Sequence, residues 1–222
     1  MALEAVVDND LLLKTVAWGL FDDVVHVMCE PGCTNSWGAL GVARFVIGRL
    51  ISSVPATAPE VSRRFQAAWE MLEHLEPSDA EARLAAEIEG YGISEGLDLD
   101  PGESQLAAIA ILRVVPWLLT GDKRAIVALE ASQTHLTPVS ELAGRVICLE
   151  QAIAQVTGRK GAAPTRALVC GHPSLDTSIR ISFECGRSAD AEIDPMPGLR
   201  SYVEDLRRVA PSMLATGPTE IL

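Results

Sequence analysis

Leu3-Glu-Ala-Val-Val-Asp-Asn-Asp10 is a short apolar run with two β-branched residues that stops at acidic residues. This pattern predicts a strand over 3–7, and a helix is expected to follow over about 11–20. The same order, a short strand and then a helix, recurs at 117–120 and 123–132. Short strands separated by helices favour an α/β fold with a mostly parallel sheet.

Other segments extend this pattern. Strands are predicted over 23–28, 136–139 and 178–184, the last because Ile179, Ile181 and Phe183 alternate with polar residues. Helices are predicted over about 35–52, 60–76, 78–89, 101–114, 141–157 and 199–209, with a turn-rich link over 90–99. The helix over 35–52 is apolar nearly all round, which predicts burial. Composition shifts at 158–164, and this predicts a domain over 1–160 and a C-terminal extension over 161–222.

Charge and length restrict the function classes. The 222 residues include 30 acidic and 18 basic side chains, for a net charge of −12. A chain this acidic does not coat nucleic acid by bulk charge, so contact with RNA requires a local basic patch or bridging cations. Hydrophobic residues make up 48% of the chain, which is enough for a substantial core.

Targeting and redox features predict a soluble cytoplasmic protein. Residues 1–7 are too short for a secretory signal and lack its basic region. The most apolar stretch, residues 39–54, is interrupted by Arg44 and Arg49 and is shorter than the ~20 residues that span a bilayer. Five cysteines are an odd number without framework spacing, as expected in a reducing cytosol.

Three acidic segments each precede a predicted helix. They are Val7-Asp8-Asn9-Asp10, Asp100-Pro-Gly-Glu103 and Thr120-Gly121-Asp122. Each acid alone is explained as a helix cap, and Asp100 with Glu103 has the spacing of a capping box. In a parallel sheet, however, every strand-to-helix turn lies on the same edge, so these acids are expected to converge. Clustered carboxylates repel, and Mg²⁺ or Mn²⁺ relieves the repulsion.

The ordered set of three motifs resembles the PIN-domain family, over about residues 3–157. Asp8-Asn9-Asp10-Leu11-Leu12 is similar to the opening acidic motif of that family. Glu103 stands where its central helix begins, and Leu119-Thr120-Gly121-Asp122 is similar to its later strand-end motif. The resemblance implies a three-layer fold with a short, mostly parallel sheet flanked by helices, to which the C-terminal extension is added.

The resemblance also implies an activity. PIN proteins include Mg²⁺- or Mn²⁺-dependent endoribonucleases, such as the toxins of bacterial toxin–antitoxin pairs. Asp8, Glu103 and Asp122 would hold the metal, and Asp10 and Thr120 would orient ligands or water. The partners implied are an RNA substrate and either an antitoxin-like protein or a second copy of the chain, without a membrane.

One departure from the family pattern supports an alternative. PIN nucleases usually carry a further acid on the helix after the second strand, but residues 34–54 contain neither Asp nor Glu. The alternative is a catalytically degenerate PIN-like module that binds a partner through its C-terminal extension. That extension could equally dock on the core or pair two copies.

Other constellations give weaker hypotheses. His26, Cys29 and Cys33 could begin a zinc site completed by Cys170 or His172, and Cys170-Gly171-His172 supplies two members of a cysteine-hydrolase triad. The concentrated basic groups are Arg159-Lys160, Arg166, Arg200 and Arg207-Arg208, for which solvated positions are predicted. The four tryptophans have apolar neighbours and are predicted to lie in the core.

Overall fold

The structure, a computed structural model, describes residues 2–28, 36–52, 58–188 and 190–216. Its centre is a five-stranded sheet in the order β3-β2-β1-β4-β5, in which all neighbouring strands are parallel. The strands are β1 (Ala5–Val7), β2 (Trp37–Leu40), β3 (Glu73–Leu75), β4 (Trp117–Thr120) and β5 (Val146–Cys148). The predicted α/β fold is therefore confirmed, and the sheet is parallel throughout.

Helices join and cover these strands. They are α1 (Asn9–Trp18), α2 (Phe21–Val27), α3 (Ala43–Ser52), α4 (Ala58–Met71), α5 (Asp79–Glu95), α6 (Pro101–Leu112), α7 (Lys123–Ser132), α8 (Leu149–Lys160), α9 (Ala162–Val169), α10 (Thr177–Ser182) and α11 (Met196–Val209). A 3₁₀ helix, Thr137–Leu142, lies between α7 and β5.

Two hydrophobic clusters cover the two faces of the sheet. Successive strand residues point to opposite faces, so Val7 joins one cluster while Val6 joins the other. The first cluster contains residues of α1, α2, α4 and α8, and the second contains residues of α5, α6 and α7. The molecule is thus a three-layer α/β structure with buried strands, as parallel sheets require.

The order of the strands places a topological switch at the centre of the sheet. From β1 the chain moves outward through β2 to β3, and then returns to add β4 and β5 on the other side of β1. Residues 5–7 of β1 pair with residues 117–119 of β4. Ligands of open α/β sheets bind outside the carboxyl ends of the strands at such a point.

Two predicted strands are helices. Residues 23–28 belong mostly to α2, where Val24, Val25 and Met28 are buried together on the helical spacing i, i+1, i+4. Residues 178–184 overlap α10 and the residues that follow it, where Ile179 and Phe183 are buried while Ile181 is 52% exposed. In both segments, packing of one helical face prevails over the β-propensity of the residues.

Several boundaries also differ from prediction. The predicted strand over 136–139 lies in the 3₁₀ helix, and α5 continues through the predicted link to Glu95. Residues 37–40, 73–75 and 146–148 are strands inside or at the end of predicted helices. These three strands have three or four residues each, too short for a period of two to stand out from a helical period.

Helix α3 is not buried all round, contrary to prediction. Ala43, Ile47 and Ile51 face the core. The opposite side carries exposed apolar residues, including Phe45 at 73% exposure and Leu50 at 46%. The unbroken apolar pattern therefore reflects a buried face and an exposed apolar face on one helix.

The C-terminal extension docks on the core, as in one of the three arrangements considered from the sequence. Ile179, Phe183 and Leu199 are fully buried in the first hydrophobic cluster, and Val203 and Leu206 belong to the second.

Arg166, predicted to be solvated, is instead buried, and its guanidinium donates hydrogen bonds to the backbone carbonyls of Phe183, Glu184 and Arg187. A disulfide between Cys170 and Cys185 encloses α10, so the expectation of unpaired cysteines is wrong for this pair.

Two further predictions concern the core and the membrane. Trp18, Trp37 and Trp69 are buried and Trp117 is partly buried, which confirms their core positions. Among the residues that the structure describes, no helix combines the length and apolarity needed to cross a bilayer.

Candidate functional site

Asp8 and Thr120 form the centre of the site at the switch between β1 and β4. Asp8 follows β1 and caps α1, because its Oδ1 accepts a hydrogen bond from the Leu11 amide at 2.7 Å. Its Oδ2 accepts hydrogen bonds from the Thr120 hydroxyl at 2.5 Å and from the Gly121 amide at 3.1 Å. Asp8 is only 5% exposed, so these four groups form a buried, fixed unit.

Asp122 and Asp10 lie beside this unit. The Asp122 amide donates to the Thr120 hydroxyl at 3.1 Å, and the Asp122 carboxylate caps α7 through the Arg124 amide. A Cβ at position 121 would stand 2.1 Å from Oδ2 of Asp10. Glycine at this position is therefore what allows the Asp10 carboxylate to approach the turn after β4.

Glu103 reaches the same place from the start of α6. Asp100 and Glu103 form the predicted capping box, in which the Glu103 amide donates to Asp100 and the Asp100 amide donates to Oε2 of Glu103. Pro101 occupies the first turn of the helix. The cap thus fixes the position of Glu103 without using its other carboxylate oxygen.

A cavity of about 150 Å³ joins these residues. Five carboxylates border it, those of Asp8, Asp10, Asp100, Glu103 and Asp122. Asn9, Leu40, Gly102 and Leu106 complete its lining. The convergence expected from the sequence is therefore present, and each acid also makes the local contacts described above. Whether these residues bind a metal or act in catalysis stays a prediction.

The carboxylates affect one another electrostatically. Burial raises the pKa of Asp8 to about 7, against the opposing hydrogen bonds from Thr120 and Leu11. Burial also raises the pKa of Glu103 to about 8, and repulsion by Asp100, Asp122 and Asp8 adds to this effect. Burial is thus the larger cause of both pKa shifts, and repulsion between neighbouring carboxylates is the smaller one.

Two basic side chains neutralise part of the negative charge around the cavity. The Lys14 ammonium lies 2.5 Å from the Asp10 carboxylate, and the Arg124 guanidinium lies 2.7 Å from that of Asp122. The pKa of Asp10 is nevertheless raised, chiefly by burial. The pKa of Asp122 is lowered, because hydrogen bonds from Arg124 outweigh the effect of burial. The basic side chains are therefore placed at two of the five acids.

The donor chemistry of the cavity suits a hard divalent cation. Carboxylate oxygens are the ligands that Mg²⁺ and Mn²⁺ prefer, and a cation would offset the repulsion between carboxylates that adds to burial in raising the pKa of Asp8 and Glu103. In the described part of the chain, no group of three or more His, Cys, Asp or Glu side chains forms a ready metal-binding cluster. A cation would therefore have to draw these carboxylates together and replace some of their present partners.

Glu150 is a further acid at this edge that the sequence reasoning missed. It stands two residues after β5, is 1% exposed, and its Oε1 accepts a hydrogen bond from the Ser178 hydroxyl at 2.6 Å and pairs with the Lys123 ammonium. The predicted helix over 141–157 concealed β5. A signal was nevertheless present, since the apolar run Val146-Ile147-Cys148-Leu149 precedes Glu150 much as Ala5-Val6-Val7 precedes Asp8.

The alternative constellations can be compared with the structure. Cys170 is disulfide-bonded to Cys185 and is therefore not a thiolate nucleophile or a zinc ligand in this state. Cys29 and Cys33 lie outside the described residues. Arg208 is exposed and pairs with Asp205, and Lys160 pairs with Asp23, as solvated surface residues commonly do.

Replacing Gly121 by Ala is expected to disturb this site selectively. The added Cβ would meet Oδ2 of Asp10 at 2.1 Å and the Leu11 amide nitrogen at 3.2 Å, so the Asp10 carboxylate must move away from the turn after β4. We expect Gly121→Ala to lower the free energy of unfolding by about 1–3 kcal/mol, measured by urea denaturation.

Gly90→Ala is the control. There, no described atom beyond the turns of its own helix lies within 4 Å of the new Cβ. Ala inside a helix should stabilise by about 0.5–1 kcal/mol. Equal effects of the two changes would contradict the packing of Asp10 against Gly121.

Comparison of the chain with protein-family models, with curated proteins and with solved structures finds no match in any of the three.

Proposed function

We propose that this protein is a Mg²⁺- or Mn²⁺-dependent hydrolase of RNA phosphodiesters, of the PIN type. The observation that supports the proposal most is the cavity at the switch point, where carboxylates from three distant segments meet. Asp8 follows β1, Asp122 follows β4 and Glu103 begins α6. Buried acids with raised pKa values are costly to a fold, and they are common where a site serves a function.

Each side chain has a role in this proposal. Asp8, Glu103 and Asp122 would hold the cation, which when bound supplies a water of lowered pKa and neutralises charge on the phosphate. Thr120 fixes Asp8 through its 2.5 Å hydrogen bond, so Asp8 is held before a ligand arrives. Asp10, at the edge of the cavity, would accept a hydrogen bond from a water and orient it.

The size and charge of the cavity favour a phosphodiester over a whole nucleotide. Its volume of about 150 Å³ is well below the range of roughly 300–1,000 Å³ typical of pockets that enclose a small organic ligand. Only the phosphate and its metal would enter, while bases and sugars remain outside. Because five carboxylates border the cavity, an anionic phosphate needs the cation as a bridge.

Cleavage of RNA by the purified protein tests the proposal directly. With 5′-labelled single-stranded RNA, we expect fragments to appear when Mn²⁺ or Mg²⁺ is added and not when EDTA is present. Restoring Mn²⁺ after EDTA should restore cleavage. Preparations that cut RNA equally well in EDTA, or that cut none with either metal, would contradict the proposal.

A second candidate function is that of a catalytically degenerate PIN-like module that binds a protein partner. The exposed apolar side of α3 favours it, because Phe45, Val46 and Leu50 adjoin one another at helical spacing and contiguous exposed apolar patches commonly mark contact surfaces. Under this proposal the partner is a second copy of the chain, and light scattering after size exclusion would show an oligomer that Phe45→Glu dissociates. A monomer in both cases would contradict it.

A further inference from the structure

Lys14 joins the cavity to the C-terminal extension. Its ammonium lies 2.5 Å from Oδ2 of Asp10, one turn earlier on α1, and 2.9 Å from Oδ2 of Asp176, far along the chain. The side chains of Lys14 and Asp176 are 12% and 13% exposed, whereas that of Asp10 is 40% exposed, so the bridge is buried at Lys14 and Asp176 and partly open to solvent at Asp10. Burial alone would lower the pKa of Lys14, but the two carboxylates raise it, and the ammonium stays charged.

Asp176 is held in place independently of Lys14. Its Oδ1 caps α10 by accepting a hydrogen bond from the Ile179 amide at 3.0 Å, and it lies 2.6 Å from the Ser178 hydroxyl oxygen. Helix α10 is fixed in turn by buried Ile179 and by the disulfide that encloses it. Asp176 is therefore a stationary carboxylate, and Oδ2 is the oxygen it presents to the ammonium.

The position of Lys14 has a consequence for cation binding. A divalent cation in the cavity would repel the Lys14 ammonium, and the water that Asp10 would orient would compete with that ammonium for the Asp10 carboxylate. A buried ammonium without any partner is strongly unfavourable. Asp176 removes that difficulty, because it is already within hydrogen-bonding distance of Lys14 when Asp10 is released.

We propose that Lys14 is a positioning residue that neutralises Asp10 until a divalent cation binds, and that Asp176 then keeps the ammonium away from the cation. The inference depends on the proposed function for the cation site itself. Under this proposal the C-terminal extension helps to set the cation affinity of the cavity. None of the residues that line the cavity belongs to that extension. Asp176 acts chiefly through Lys14, because its direct electrostatic effect on Asp10 is smaller than that of the Lys14 ammonium.

A double-mutant cycle on Mn²⁺ binding tests this coupling, with calorimetry of the full-length protein in the absence of RNA. Lys14→Gln removes the competing ammonium, so we expect Mn²⁺ to bind about tenfold more tightly. Asp176→Asn retains a helix-capping side chain but removes the receiving charge, so Mn²⁺ should bind about tenfold more weakly. In the double variant the affinity should lie close to that of Lys14→Gln, because without the ammonium Asp176 acts on the site only through its smaller direct effect on Asp10.

The outcomes separate this inference from the proposed function. Lys160→Gln, which loses an ammonium paired with Asp23 outside the cavity, should leave Mn²⁺ affinity unchanged. Additive effects of the two changes, or an unaltered affinity in Lys14→Gln, would overturn the role of Lys14 while leaving the cation site intact. Absence of Mn²⁺ binding in the wild type and in every variant would overturn both. Binding that appears only in Lys14→Gln would support the competition.

Discussion

Asp8→Asn is expected to lower Mn²⁺-dependent RNA cleavage by about 1,000-fold, which corresponds to the loss of about 4 kcal/mol of charge stabilisation. Asn has nearly the same size and is also a good N-cap, so α1 should remain capped through Leu11. The amide, however, carries no charge and has only one acceptor oxygen. The two oxygens of Asp8 accept hydrogen bonds from Leu11, Thr120 and Gly121. A cation would thus lose its most deeply buried ligand. The rate should be measured with excess labelled RNA over a range of Mn²⁺ concentrations.

Two controls decide how the result is understood. Asp23→Asn makes the same chemical change in the first turn of α2, where the carboxylate pairs with Lys160, and it should leave cleavage unchanged. Circular dichroism and thermal unfolding of Asp8→Asn should show a folded protein, so that loss of activity is not loss of structure. Cleavage by Asp8→Asn at the wild-type rate would remove Asp8 from the site and with it the basis of the nuclease proposal.

The acids at the edge of the sheet could be predicted because an acidic residue before a helix marks both the helix cap and the end of the preceding segment. Asp8, Asp100 and Asp122 each follow an extended or turn segment and precede a helix, and each does cap that helix. Because the carboxyl ends of parallel strands share one edge of the sheet, the convergence of these acids follows from topology alone. The sequence pattern did not contain the distances, nor the fact that Gly121 gives Asp10 room beside the turn.

The remaining features depend on contacts between distant segments. Residues 23–28 have strong β-propensity but form a helix, because Val24 and Val25 are buried against the core along with Met28. Strand β5 exists because residues 118–120 of β4 pair with it, a contact that no local pattern reveals. Missing β5 also concealed Glu150, and assigning 178–184 to a strand concealed how Asp176 and Ser178 reach the sheet edge.

Glu103→Gln is expected to stabilise the metal-free protein at alkaline pH. Burial together with neighbouring carboxylates raises the pKa of Glu103 from 4.5 to about 8 in the folded protein. The folded state therefore binds the proton of Glu103 more tightly than the unfolded state does. The stabilisation of the folded state by this proton is complete below pH 4.5. The effect is lost as pH rises through about 8, because Glu103 must then ionise among other acids. Asp8, with a pKa of about 7, contributes in the same direction.

Urea denaturation in EDTA at pH 4.5, 6.5 and 8.5 measures this effect. At pH 8.5 Glu103→Gln should exceed the wild type by about 2 kcal/mol, which is less than the whole pKa shift corresponds to because solvent reaches part of Glu103. At pH 4.5 the two proteins should be nearly equal, since Glu103 is then protonated. Glu87→Gln, an exposed position on α5, should follow the wild type throughout.

Mn²⁺ connects this pH dependence to the cation site. A divalent cation neutralises the negative charge of the ionised carboxylates. Because more of them are ionised at higher pH, the cation should stabilise the wild type increasingly as pH rises from 6.5 to 8.5. Glu103→Gln has one ligand charge fewer and should gain less from the same Mn²⁺ concentration. Its advantage over the wild type at pH 8.5 should therefore shrink or reverse. If Mn²⁺ stabilises both proteins equally at every pH, Glu103 repels its neighbours without binding the cation, and the ligand set must be sought among the other acids of the cavity.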